Sequence, residues 1–141
     1  MTRRYTQLAW AAAVCTYLLI ILGAIVRITG SGLGCGEHWP LCNGRLLPPL
    51  DLPTLIEYGH RLAAALVSLL VLALAGYGFR LRRETGNEKG ETSPRPTTVG
   101  YVALGLLALQ VALGAITVKT GLTPTMVVLH LATAMLLLGV L

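Results

Sequence analysis

Two of the three histidines fall in stretches that are otherwise apolar. His60 opens "HRLAAAL" and His130 opens "HLATAML". Each follows a helix-start signal: Thr54 after Pro53 for one, Thr123 with Pro124 in the first turn for the other. At the rise of an α-helix both imidazoles then lie roughly 9–10 Å below the outer helix ends. Two imidazoles at one depth, from two helices of a narrow bundle, match a bis-histidine heme or metal site. The competing reading is a pair of interfacial histidines bonded to backbone or headgroups, which suits a lone histidine better than a matched pair. Heme is favoured over zinc, because the cysteines lie outside the membrane and nothing else completes a tetrahedral set.

Glu57 stands three residues before His60, on nearly the same helix face. Two readings remain open for it. "TLIE" (54–57) fits a capping box, with Thr54 as N-cap, Glu57 at N3 and Arg61 as its neutralising neighbour. Alternatively, a carboxylate beside a membrane-embedded histidine is costly to keep and marks a catalytic group. Arg27 and Arg61 lie near the outer interface. There they either snorkel to the headgroups or pair with the carboxylates of a bound porphyrin. Gln110 is a candidate for interhelical hydrogen bonding.

The elements that must position these groups are membrane helices. Of 141 residues 55% are hydrophobic and 12% charged, about half the charge of a soluble domain. Four apolar runs are each long enough for the roughly 17–25 helical residues that span hydrocarbon. The expected helices are 8–27, 55–79, 99–118 and 124–141, joined by an outer loop 28–54 and a polar cytoplasmic linker 80–98, in one membrane domain 1–141. Arg3, Arg4, Arg80, Arg82, Arg83, Lys89 and Arg95 lie on one side, and Arg27, Arg45, Arg61 and Lys119 on the other. That asymmetry places both termini and the linker in the cytoplasm and loop 28–54 outside. The net charge of +5 is a topology signal, and no basic patch for nucleic acid is expected.

"GAIVRITG" (23–30) recurs as "GAITVKTG" (114–121), and a helix opening with histidine follows each copy. The expected fold is therefore all-α: a four-transmembrane-helix bundle built from a duplicated two-helix unit. The first copy carries the inserted "GCGEHWPLCNG" (34–44). Three readings fit Cys35 and Cys42 there. On the oxidising side such a pair forms a disulfide, holding the loop as a lid over the outer pocket. A redox pair passing electrons to a quinone is the second reading. A metal site with Glu37 and His38 is the third and the least favoured. Cys15, mid-helix, reads as an inert small hydrophobe.

"GAIVRITGSGLGCGEHWPLCNG", then "IEYGHR", then "HLATA" in the fourth helix resemble the amino-terminal half of the heme A synthase family. The resemblance spans essentially the whole chain outside the linker. It implies a bacterial or mitochondrial inner-membrane protein that oxidises a ring methyl of heme O to a formyl group, in support of cytochrome oxidase biogenesis. It implies heme O and heme A as substrate and product, with heme b also possible. His60 and His130 become the iron ligands, Glu57 the acidic catalytic residue, and Cys35–Cys42 a disulfide that is also redox-capable. Heme O synthase and cytochrome oxidase assembly proteins become expected partners beside membrane lipid.

Familiar members have eight helices in two halves, so four helices imply either a homo-oligomer or a second half outside this chain. Two rival functions are a non-catalytic heme-binding subunit for electron transfer or heme delivery, and a quinone-linked thiol oxidase using Cys35 and Cys42.

Overall fold

The computed structural model describes residues 3–46, 48–85 and 96–141. Four helices follow one another: α1 (Arg3–Ile28), α2 (Leu52–Thr85), α3 (Pro96–Lys119) and α4 (Pro124–Val140). Among the described residues there is no strand beyond an isolated bridge between Cys42 and Arg45. α1, α2 and α3 are long and apolar enough to cross a membrane, while α4 has 17 residues. Large apolar side chains such as Trp10, Leu69 and Leu129 point outward, as helices in lipid require, where the solvent is as apolar as the core.

Each helix packs against the next, and α1 touches α4 only lightly. The core lies at mid-bundle: Val67 and Val71 of α2 meet Ala103 and Leu107 of α3 and Leu137 of α4, with Cys15 and Leu19 of α1 against them. Cys15 is thus a packing residue, as its position in the run implies. At the far end Tyr5 stacks on Tyr77 with ring centroids 6.4 Å apart, and Arg83 lies over the Phe79 ring.

α2 runs past its expected ends on both sides. Asp51, not Thr54, caps it. Asp51 Oδ2 accepts from the Thr54 backbone N–H at 3.2 Å and from the Thr54 hydroxyl at 2.7 Å. Asp outranks Thr as a cap, and Pro53, lacking an N–H, fits the first turn. At the other end the turn carrying Arg80, Arg82 and Arg83 stays helical, because an apolar run marks the hydrocarbon-crossing part of a helix and not its ends. The linker expected at 80–98 is therefore helical at 80–85 and 96–98. Residues 86–95, with Lys89 and Arg95, lie outside the described residues.

α1 and α3 end alike. Ser31 N–H reaches back to Val26 O and Gly30 N–H to Arg27 O; Leu122 N–H reaches Thr117 O and Gly121 N–H Val118 O. These are the paired bonds of a Schellman cap. It needs a left-handed residue, supplied by Gly30 (φ 66°) and Gly121 (φ 64°). The α3–α4 turn then closes at once, with Pro124 in the first turn of α4 after Thr123, whose hydroxyl makes no cap bond. The α1–α2 connection instead continues as the long loop. The turn and the loop meet where Leu122 lies against Gly32 so closely that a Cβ there would collide with it.

Candidate functional site

The outer loop is tied to α2 by side chains from one helical stretch. Cys35 and Cys42 form a disulfide, and both are buried. Thr54 Oγ1 also lies 2.8 Å from Gly34 O, its one hydrogen shared between that carbonyl and Asp51 Oδ2. Glu57, 3% exposed, accepts the Cys35 backbone N–H on Oε2 at 2.7 Å. Its Oε1 accepts from Arg61 Nε at 3.1 Å and from the second guanidinium nitrogen at 2.5 Å. The remaining guanidinium nitrogen donates to His38 O and Leu41 O, both at 2.9 Å. Tyr58 closes the far side by donating to Leu46 O.

This network decides between helix cap and buried acid for Glu57. With Asp51 capping the helix, Glu57 Oε2 is free to hold the loop at the Cys35 N–H while Oε1 holds Arg61, which itself bonds the loop. Its backbone and Arg61 partners offset the cost of burying a carboxylate. Arg61 is equally committed, with three of its nitrogens engaged. Arg27 is exposed and beside a cleft of about 170 Å³ lined by Val26, Gly30, Leu33 and Leu122. Outside the membrane, hydrogen bonds from Thr54 hold the Asp51 carboxyl below the usual carboxylate range.

The histidines sit below this cover. A Cβ built on Gly23 of α1 would lie 3.1 Å from His60 Cε1, and one on Gly114 of α3 would lie 3.2 Å from His130 Cε1. Each imidazole is thus seated on a glycine of the preceding helix, at matching positions of "GAIVRITG" and "GAITVKTG". Nδ1 of each ring is buried without a hydrogen-bond partner. Gln110 Nε2 lies 3.3 Å from Nε2 of His130. Buried polar atoms are nearly always paired, so imidazoles buried with Nδ1 unpartnered are not placed there to satisfy hydrogen bonds of the fold, which suits rings whose Nε2 lone pair serves a ligand. The residues present therefore fit a heme iron. Glu37 and His38 are exposed beside the buried disulfide, and no cluster of three or more His, Cys, Asp or Glu occurs among the described residues.

Sequence reasoning missed the two seating glycines, although the repeat that contains them was legible. It also missed Asp51 as the cap and Thr54 as a loop tie.

The model of the cytochrome oxidase assembly protein family matches residues 6–141. The chain belongs to that family. Relatives named heme A synthase are 43% identical over 107 residues in Symbiobacterium thermophilum (76% of this chain, 32% of the relative) and 35% identical over 130 residues in Bacillus licheniformis (92% of this chain, 40% of the relative). The chain thus spans about a third to two fifths of these relatives. A Thermus thermophilus protein named protoheme IX farnesyltransferase is 45% identical over 78 residues, covering 55% of this chain and 13% of that protein. Family membership and three membrane-length apolar helices make this an integral membrane protein.

Proposed function

We propose that this chain forms the substrate half of a heme A synthase, in which the ring methyl of heme O is oxidised to a formyl group. The observation that carries the reading is the pair of glycine-seated histidines, each with a buried, unpartnered Nδ1. His60 and His130 would hold the iron. Bound heme O supplies both that iron and the methyl group to be oxidised. Glu57 and Arg61 hold the disulfide-closed loop over the outer helix ends, which keeps water from the site. Glu57 would also exchange protons near the porphyrin, and Arg27 would orient a propionate.

Arg27, Arg45, Arg61 and Lys119 gather at the histidine end against Arg3, Arg4 and the Arg80–Arg83 turn at the other. This supports an outward-facing pocket in a bacterial plasma membrane with both termini cytoplasmic. The twin Schellman caps and twin glycine seats support an internal duplication. The likeness to part of a protoheme IX farnesyltransferase supports placement next to heme farnesylation. A homo-oligomer or a further half would complete the enzyme.

A second reading, a heme-delivery subunit without catalysis, is favoured by one observation: both Glu57 oxygens are already engaged, Oε2 by the Cys35 N–H of the loop and Oε1 by Arg61. The thiol-oxidase reading is disfavoured by burial of the disulfide, since exchange needs access for an attacking thiolate.

The test is to express the chain with ample heme O, purify it in detergent, record oxidised and reduced spectra, and separate the extracted pigments. Heme O or A in the extract, lost in His60→Ala and His130→Ala, is expected. Heme b alone would favour the delivery reading, and no heme at all would overturn both. Glu57→Gln separates the two: heme kept with heme A lost indicates synthesis, and no change indicates delivery.

A further inference from the structure

The two imidazoles share a glycine seat and differ in their polar company. Gln110 lies four residues before Gly114; the residue four before Gly23 is Leu19, an apolar core contact. His130 therefore faces an amide, whereas the position of α1 that matches Gln110 is a leucine. Among the described residues neither ring nitrogen of His60 has a hydrogen-bond partner.

An amide nitrogen only donates, so in the bond between Gln110 Nε2 and His130 Nε2 the imidazole nitrogen accepts. A neutral imidazole has one ring hydrogen and one lone pair. With Nε2 accepting, the hydrogen sits on Nδ1, and the sole lone pair of His130 is the one Gln110 occupies. Iron must use that same lone pair. Gln110 Oε1 is itself buried and unpartnered, so the amide gains nothing else by staying.

We propose that Gln110 is a placeholder on His130: its amide occupies the lone pair with which that imidazole would ligate iron, so His60 captures an incoming heme first and His130 closes second. The order of capture rests on the heme reading above; the hydrogen bond does not. Leu19, at the position matching Gln110, offers His60 no competing amide.

The experiment has two arms, both on the full chain in lipid nanodiscs. In the heme-free protein, nitrogen-15 spectra of labelled histidine report each ring's tautomer. Gln110→Met keeps length and volume and removes the amide; it should shift the His130 nitrogens and leave those of His60 in place. In the second arm, stopped-flow mixing with ferric protoheme should give two spectral steps. Gln110→Met should speed the second by about five-fold, the worth of one typical hydrogen bond. Leu19→Gln, which gives His60 the same partner, should slow the first by a similar factor; it also serves if Gln110→Met fails to fold.

A second step unchanged or slowed in Gln110→Met would overturn the placeholder role, as would a first step indifferent to Leu19→Gln. Unmoved His130 nitrogens would remove the hydrogen bond on which it stands. Absence of any heme spectrum would overturn the capture order together with the heme reading, while the nitrogen shifts would still decide whether Gln110 holds His130.

Discussion

The α1–α2 pair and the α3–α4 pair start from the same local chemistry and surround it differently. In both, the first helix stops at a threonine and a left-handed glycine, and a glycine two turns earlier seats the histidine of the second helix. The first pair then spends a long loop, a disulfide, Glu57, Arg61 and Thr54 on covering its histidine. The second pair closes in a tight turn and offers one amide, Gln110. The difference teaches that holding an imidazole at depth needs only the glycine and the helix register. Glu57, Arg61, Thr54 and Tyr58 hold the loop, and the loop belongs to one pair alone.

That contrast has a stability consequence. Arg61→Ala would leave the Glu57 carboxylate buried with the Cys35 N–H as its remaining partner. Breaking a buried pair in this way costs about 3 kcal/mol, and thermal loss of helical circular dichroism in detergent should reveal it. Lys119→Ala, at the outer end of the other pair, should leave the melting temperature within a degree or so of wild type, since exposed charges contribute little. Equal losses would break the comparison.

Next in size is the disulfide. Cys35→Ser with Cys42→Ser should lower stability by roughly 2–3 kcal/mol on the chain-entropy model, read from denaturant unfolding in detergent. Any heme spectrum should survive, because the histidines do not depend on the closed loop. A lost spectrum would make the loop part of the site itself.

Gly23→Ala and Gly114→Ala test the likeness. Each adds a Cβ at 3.1 or 3.2 Å from a Cε1, and overpacking of this kind costs on the order of 1 kcal/mol or more. Heme affinity, measured by titration, should fall by similar factors in both. A response at one glycine only would show that the two seats are not equivalent.

The smallest effect concerns Asp51. Its carboxyl is held below its ordinary value in the fold by Thr54. The stabilisation is therefore fully present above the unfolded carboxylate pKa and lost as pH falls through the lower folded value. Asp51→Ala should reduce helix content slightly at neutral pH, and the gap from wild type should close in acid. A gap that persists at low pH would mean that the cap does not depend on the charge.

The sequence by itself determined the helices and their order, because apolar runs of membrane length admit no other structure in lipid. It also singled out His60 and His130 as a pair, since "GAIVRITG" and "GAITVKTG" precede them in similar registers and the structure seats both rings on the matching glycines. The same spacing rules brought Glu57 next to Arg61 on one helix face and predicted that contact correctly. They failed at the cap, where Asp51 and Thr54 both qualify by residue type and only the path of the loop chooses.

The tertiary structure alone decided the rest. Cys35 lies 22 positions from Glu57 in the chain, and no periodicity links a loop N–H to a helix carboxylate. Gly23 and Gly114 read as helix-packing residues until the neighbouring helix brings an imidazole onto them. Gln110 meets His130 only because α3 and α4 run side by side. Periodicity within an element is local and written in the chain. Partners across elements depend on how two helices rotate about their axes, and that rotation is set by the packed bundle as a whole.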